Sequence, residues 1–226
     1  SLPLGNLQTL TLPPIEAAKG VNYLKIFITQ PNGKADENNV NDTLSTAFTI
    51  LTPLPGPLSE GFETTPFPIP GGWRVINKNP GSLTWTRTTA AKKSGAAAAV
   101  MEFYNYNTQQ QEDYLLSPLL DCKDADSILF SFERAYRPYN SNPAYADALA
   151  VVVSSDCGAT FQEVWRKEGV ELATVKETST SPFIPLVNEW SPLELDLRPY
   201  LDNTTAALVG FKSINRFGNN LYVDDL

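Results

Sequence analysis

The chain contains no histidine. That removes Ser-His-Asp and Cys-His nucleophilic systems, and with them the usual zinc ligand sets, which would also need more than two cysteines. Carboxylates, two thiols and a set of tyrosines remain as chemistry-bearing groups. Two carboxylates can hydrolyse a glycosidic bond when one, with a raised pKa, faces the other across a cleft. The 25 acidic residues are spread along the whole chain, with no isolated pair in an aromatic setting. Cys122 and Cys157 allow one disulfide in an exported protein, or equally two buried free thiols, because spacing does not reveal their distance. Two runs, FYNYNTQQQ and AYRPYNSNPAY, hold Tyr104, Tyr106, Tyr136, Tyr139 and Tyr145 with Arg137, and Arg134 stands just before the second. Tyrosines beside amide side chains suit sugar rings, which stack an apolar face and hydrogen-bond through hydroxyls. The alternative is that these rings cap a core and pack under long loops.

These groups need a scaffold, and the sequence predicts strands. Its 18 prolines, 13 glycines and 11% aromatic content, with many threonines and valines, tilt the class towards all-β. At 226 residues it can bury a sizeable core in one large or two small domains. A formal charge of −8 disfavours nucleic acid and anionic membranes as partners. No apolar window is long enough for a membrane-spanning helix. The segment 147–165, DALAVVVSSDCGATFQEVW, reads as a hairpin in the middle of an antiparallel sheet. Leu149, Val151 and Val153 alternate with small neighbours, and Asp156 and Gly158 supply turn chemistry.

Residues 1–51 hold three strand candidates, 7–12, 22–28 and 46–51, around a polar turn. Three strands cannot close a sandwich, because one face stays uncovered. Within that turn Asp36, Glu37 and Asp42 have calcium-ligating chemistry, although a solvated loop explains them as well. Residues 52–59, TPLPGPLS, read as a polyproline-like linker without hydrogen bonds of its own. From residue 60 onward about ten short strands separated by turn signals predict a jelly-roll β-sandwich over 60–226. The run SGAAAAVMEFY is ambiguous between a helix, by alanine propensity, and a tightly packed strand.

Residues 1–51 resemble the C-terminal half of an immunoglobulin-like module, through Gly20, Pro31-Asn32-Gly33, Asp36 and Asn41-Asp42. A second resemblance spans 59–226. Its landmarks are Glu60-Gly61-Phe62-Glu63, Phe67-Pro68, Gly72-Trp73, Trp85, Leu116-Ser117-Pro118 and Leu129-Phe130-Ser131-Phe132, then Asp147 with VVVSSDCG, and Asn220 to Asp225. In this order they resemble the MAM-like jelly-roll modules of bacterial surface and secreted proteins, which include cleaved adhesin and choice-of-anchor domains. The resemblance implies a calcium ion near the meeting of first and last strands, with Glu63 and Asp225 as leading ligands and Glu60, Asp147 and Asp224 behind them. Strand alternation adds that Asp225 points inward with Leu221 and Val223, where an unpaired carboxylate would be costly. Ser154, Asp156, Gly158, Thr160 and Phe161 resemble an Asp-box hairpin, a structural turn.

The expected function is a non-catalytic extracellular interaction module, for adhesion or as an accessory region of a larger secreted or surface protein such as a protease. The first alternative is a carbohydrate-binding module that uses Tyr104, Tyr106, Tyr136, Tyr139 and Arg137. The second is a two-carboxylate glycoside hydrolase. The expected partner is an extracellular protein or glycan, and the start at Ser1 reads as a piece of an exported bacterial protein.

Overall fold

A computed structural model describes residues 9, 11–30, 33–35, 38, 40, 42–68, 72–79 and 83–226. The expectations at Pro31-Asn32, Asp36, Glu37 and Asn41 lie outside these residues, as do most of the strand expected at 7–12 and parts of the turns at 66–72 and 79–82. The chain divides into two compact units, Ser1–Thr52 and Pro53–Leu226.

The first unit contains an antiparallel pair, β1 (Gly20–Phe27) and β2 (Thr43–Ile50), with Ile26 opposite Leu44 and Asn22 opposite Phe48. This register places Leu24, Ile26, Leu44 and Phe48 on one face, as a period of two requires.

The second unit is an antiparallel β-sandwich. Its strands are β3 (Arg74–Asn77), β4 (Thr86–Thr88), β5 (Ala98–Met101), β6 (Glu112–Leu116), β7 (Leu120–Asp121), β8 (Leu129–Tyr136), β9 (Ala148–Ser154), β10 (Gln162–Glu168), β11 (Ser191–Asp196), β12 (Ala206–Ile214) and β13 (Leu221–Asp224). One sheet has the order β10-β9-β12-β6-β3, with β7 also on β12, and the other has the order β11-β8-β13-β5-β4. Apart from β4–β5, β6–β7 and β9–β10, successive strands cross between the sheets, as in a jelly roll. One helical turn, α1 (Gly169–Leu172), follows β10.

Between the sheets, the inward residues of each strand meet in an aromatic knot. Phe132 packs edge-on against Phe211 at 4.7 Å, with Phe130 at 5.6 Å and the buried Trp85 at 6.1 Å from the same ring. The alanine run resolves as β5, buried at every position. A second cluster explains this, because Val175, Phe183 and Trp190 from the loop before β11 cover its outer face together with Ala98, Val100 and Tyr222. Covered on both faces, β5 shows no alternation, and small side chains let neighbouring backbones approach.

The β9–β10 hairpin forms, but at the end of its sheet rather than in the middle, with β9 inside and β10 at the edge. Its turn is closed by side chains. Ser154 Oγ donates to Asp156 and accepts from Gly158 N, while Asp156 accepts from both the amide and the hydroxyl of Thr160. The Thr160 hydroxyl leads the donors that hold the Asp156 carboxyl well below its ordinary range. This is a self-contained structural turn.

The linker expectation needs correction. Leu54 forms a parallel bridge with Leu120, donating to Leu119 O and accepting from Asp121 N, both at 2.8 Å. Glu60 exchanges both backbone bonds with Leu226, at 2.9 and 3.0 Å. Proline lacks only its own N–H, so the non-proline residues between the prolines remain free to pair. Residues 53–59 therefore belong to the second unit rather than to a spacer.

Candidate functional site

At one end of the sandwich the connecting loops converge on the start of β13. Four polar side chains there are buried, Asp147, Asn215, Asn219 and Asn220, and each ties loops together. Asp147 Oδ1 accepts from Arg216 N and Gly218 N, and Oδ2 accepts from Asn219 N and the Tyr136 hydroxyl. Asn219 donates to Ser179 O and Ser181 O and accepts from Phe183 N. Asn215 donates to Tyr106 O and Thr108 O. Asn220 accepts from Tyr104 N. Burial pushes the Asp147 carboxyl from its ordinary 3.8 to about 7, against the pull of its four donors. These bonds join the loops 102–111, 173–190 and 215–220 into one surface.

The tyrosines divide across this surface. Tyr106 and Tyr136 are core residues, 2% and 0% exposed, and are unavailable to a ligand. The Tyr106 hydroxyl donates to the buried Asp113 instead. Tyr104, Tyr139 and Tyr145 form a half-buried row, with centroids 6.2 and 5.5 Å apart and rings tilted by 57° and 50°. Tyr104 also donates to Thr180 O. Arg137 lies 3.7 Å from Glu189 and over the Phe183 ring. Arg134 turns away, donating to Leu172 O and lying over Trp165. Burial was invisible in the tyrosine-rich runs because the chain re-enters the core between exposed positions. The three asparagines went unassigned as well. Their only sequence signal is the run Asn215-Arg216-Phe217-Gly218-Asn219-Asn220, an amide- and glycine-rich turn before a strand.

The acidic candidates sit at the other end of β13. The strand ends at Asp224, and Asp225 takes φ +48°. It is therefore Asp224 that is buried, whereas Asp225 is half-buried and accepts from Ser94 Oγ at 2.6 Å. Alternation fails here because the reversal of φ rotates the side chain off the strand pattern. Asp224 accepts from Lys93 N and Asp225 N, and burial pushes its carboxyl up to about 6. Glu63 accepts from Ala96 N through both oxygens and lies against the Gly95 backbone. Glu60 caps Phe62 N at 2.6 Å. Glu63 and Asp224 face one another across Gly61, whose added Cβ would lie 3.6 and 3.9 Å from their oxygens. Asp147 does not join them. It binds Asn219, five residues before Asp224, or about 17 Å along an extended strand.

The group implied by resemblance is calcium, which takes oxygen ligands. Glu63 and Asp224 fit it chemically. Neither forms an ion pair among the described residues, because the nearby Lys93 amine pairs with Glu133. No third acidic side chain among those residues completes a cluster. The two cysteines stand as free thiols, Cys122 buried and Cys157 exposed in the hairpin turn.

No family model matches the chain, and no curated protein matches it. Among solved structures it is similar to the K2 cleaved adhesin domain of Lys-gingipain, with 17% identity and a TM-score of 0.51 over 74% of this chain and 96% of that one. The K3 cleaved adhesin domain of Lys-gingipain from Porphyromonas gingivalis matches with 18% identity and a TM-score of 0.49 over 74% and 95%. The CBM22-1 xylan-binding domain of Paenibacillus barcinonensis Xyn10C matches with 12% identity and a TM-score of 0.42 over 74% and 89%. At such identities the likeness is one of fold.

Proposed function

We propose that the second unit is a non-catalytic binding module of an extracellular or cell-surface protein, holding a protein or glycan on its loop end. The observation that carries this reading is the set of loops locked together by Asp147, Asn215, Asn219 and Asn220. Rigid loops on a sandwich present a pre-organised surface, which lowers the entropic cost of binding. The solved adhesin domain with the same fold supports the same class. The hydrolase alternative is not favoured, since the acids with raised pKa, Asp113, Asp147 and Asp224, are all fully buried, and Asp147 and Asp224 sit at opposite ends of β13. Glycosidase carboxylates stand within about 10 Å of one another.

For a glycan, the contact is the Tyr104–Tyr139–Tyr145 row, and Tyr139 is its centre. On a glycan array, Tyr139→Ala is expected to weaken binding about five-fold, the equivalent of about 1 kcal/mol of lost aromatic contact. Tyr106→Ala is no test of binding, because it empties a core position. An array without hits on folded protein would leave a protein partner as the ligand.

Calcium is part of the same proposal, as a structural ion held by Glu63 and Asp224, with Asp225 and Glu60 nearby. It would neutralise a buried carboxylate and join the beginning of the unit to its last strand. Extracellular sites bind at roughly 0.1–1 mM, so 10 mM calcium at the tight end adds about 2.7 kcal/mol. Relative to chelated protein, Tm is expected to rise by roughly 5–10 °C. Asp224→Asn should remove that rise, whereas Asp202→Asn, exposed on another loop, should keep it. Superimposable melting curves in chelator and in calcium would remove the ion.

A further inference from the structure

At the end of the sandwich away from the tyrosines, the five-stranded sheet has an open slot. β8 is paired by β11 from Arg134 to Leu129, but β13 covers only Tyr136 to Glu133 on its other side. β13 ends at Asp224, and beyond Asp225 the chain bonds to Glu60 through Leu226, so Ser131, Phe130 and Leu129 have no partner in β13. Across the slot, the chain runs back from the Glu60–Leu226 bonds through Leu58 and Pro57 to the Leu54–Leu120 bridge. Among the described residues, no main-chain hydrogen bond joins 129–131 to 56–58. The extended edge of β8 and the bend at Gly56 thus flank a vacant line beyond the end of β13.

Beneath this line lies a cavity of about 430 Å³, whose lining includes Trp73, Leu120, Ile128, Phe130, Val209 and Leu226. Trp73 is 5% exposed, and its indole N–H has no hydrogen-bond partner. At the mouth, Leu129 and Leu58 are 60% and 38% exposed. The rim at Asp121 belongs to a turn that also carries Asp124 and Asp126 against one basic residue, Lys123.

We propose that this slot is an acceptor site for one extended segment of a partner polypeptide, with alternating β-branched residues and a basic flank. Such a segment adds as a strand on the open edge of β8, alongside residues 56–58. Its backbone pairs with that edge, and every second side chain enters the cavity. Its basic flank meets Asp121, Asp124 and Asp126. An unpaired strand edge above an apolar hollow is otherwise an aggregation hazard. This site is separate from the loop end, so a negative glycan result leaves it standing.

The test is hydrogen exchange by mass spectrometry on the folded protein, with a synthetic peptide of alternating valine and threonine carrying a lysine at each end. At about 1 mM peptide, exchange in 56–60 and 128–131 is expected to slow about ten-fold. The same peptide with proline at its central positions lacks the donors and should protect neither segment. The triple variant Asp121→Asn, Asp124→Asn, Asp126→Asn changes exposed positions only, and should weaken the effect several-fold at low salt. Three results would overturn the proposal: no protection, protection elsewhere, or protection only when the sequence is appended after Leu226. The last would make the slot the seat of a covalently continuous strand instead.

Discussion

Gly210→Ala is expected to cost the sandwich about 4 kcal/mol or more, placing it among the most damaging single substitutions. Gly210 lies in the middle of β12, opposite Leu116 of β6 and Val152 of β9. A Cβ there would strike Leu115 O and come within 2.8 Å of Leu116 Cα. Both are main-chain atoms of the neighbouring strand, so no rotamer change can relieve the contact. β6 must move away from β12, and that opens the aromatic knot around Phe211. With a urea m-value of about 2 kcal/mol/M, the unfolding midpoint should fall by about 2 M. Gly61→Ala is the control, since its Cβ would meet only ordinary contacts, the nearest at 3.6 Å. Equal midpoints for Gly210→Ala and the unsubstituted chain would mean that β6 and β12 are not packed as described.

The second large effect is expected at Asp147. Removing its carboxylate with Asp147→Ala leaves three backbone N–H groups and the Tyr136 hydroxyl buried without an acceptor. The cost at pH 5 should be about 4 kcal/mol, because unsatisfied buried donors lose their full solvation. The loops around 215–220 should open first, and their amides should exchange faster than those of β9 and β12. The carboxyl also sets a pH dependence. Its folded-state pKa, about 7, lies above the ordinary 3.8. The stabilisation is therefore complete below pH 3.8 and is lost as pH rises through 7. In chelator, Asp147 alone should make the unsubstituted chain about 2.5 kcal/mol less stable at pH 8 than at pH 5, and Asp224, raised to about 6, adds to the loss. For a unit of this size the Asp147 share is a fall in Tm of roughly 5–10 °C, and Asp147→Ala should remove that share. A chain that gains stability from pH 5 to pH 8 would show that the four donors outweigh burial.

Composition and local periodicity were enough for the all-β class and for the hairpin built on Ser154, Asp156, Gly158 and Thr160. Each depends on near neighbours, through alternation or turn chemistry, and near neighbours are what a sequence displays. Contacts between distant residues were not legible. Tyr106 and Tyr136 sit in runs that look like a surface, yet both are core, because burial depends on which strand lies opposite. Asp224 and Asp225 are adjacent and chemically identical, and one reversed φ decides which is buried. Asp147 was grouped with Glu63 by resemblance, but β13 holds them at opposite ends. The alanine run became a strand because residues 175–190, far along the chain, cover its outer face. The proline-rich stretch joined the sandwich because Leu54 and Glu60 found partners at Leu120 and Leu226. In each case a residue's role was set by backbone groups and side chains that only the closed sandwich brings within hydrogen-bonding or packing distance.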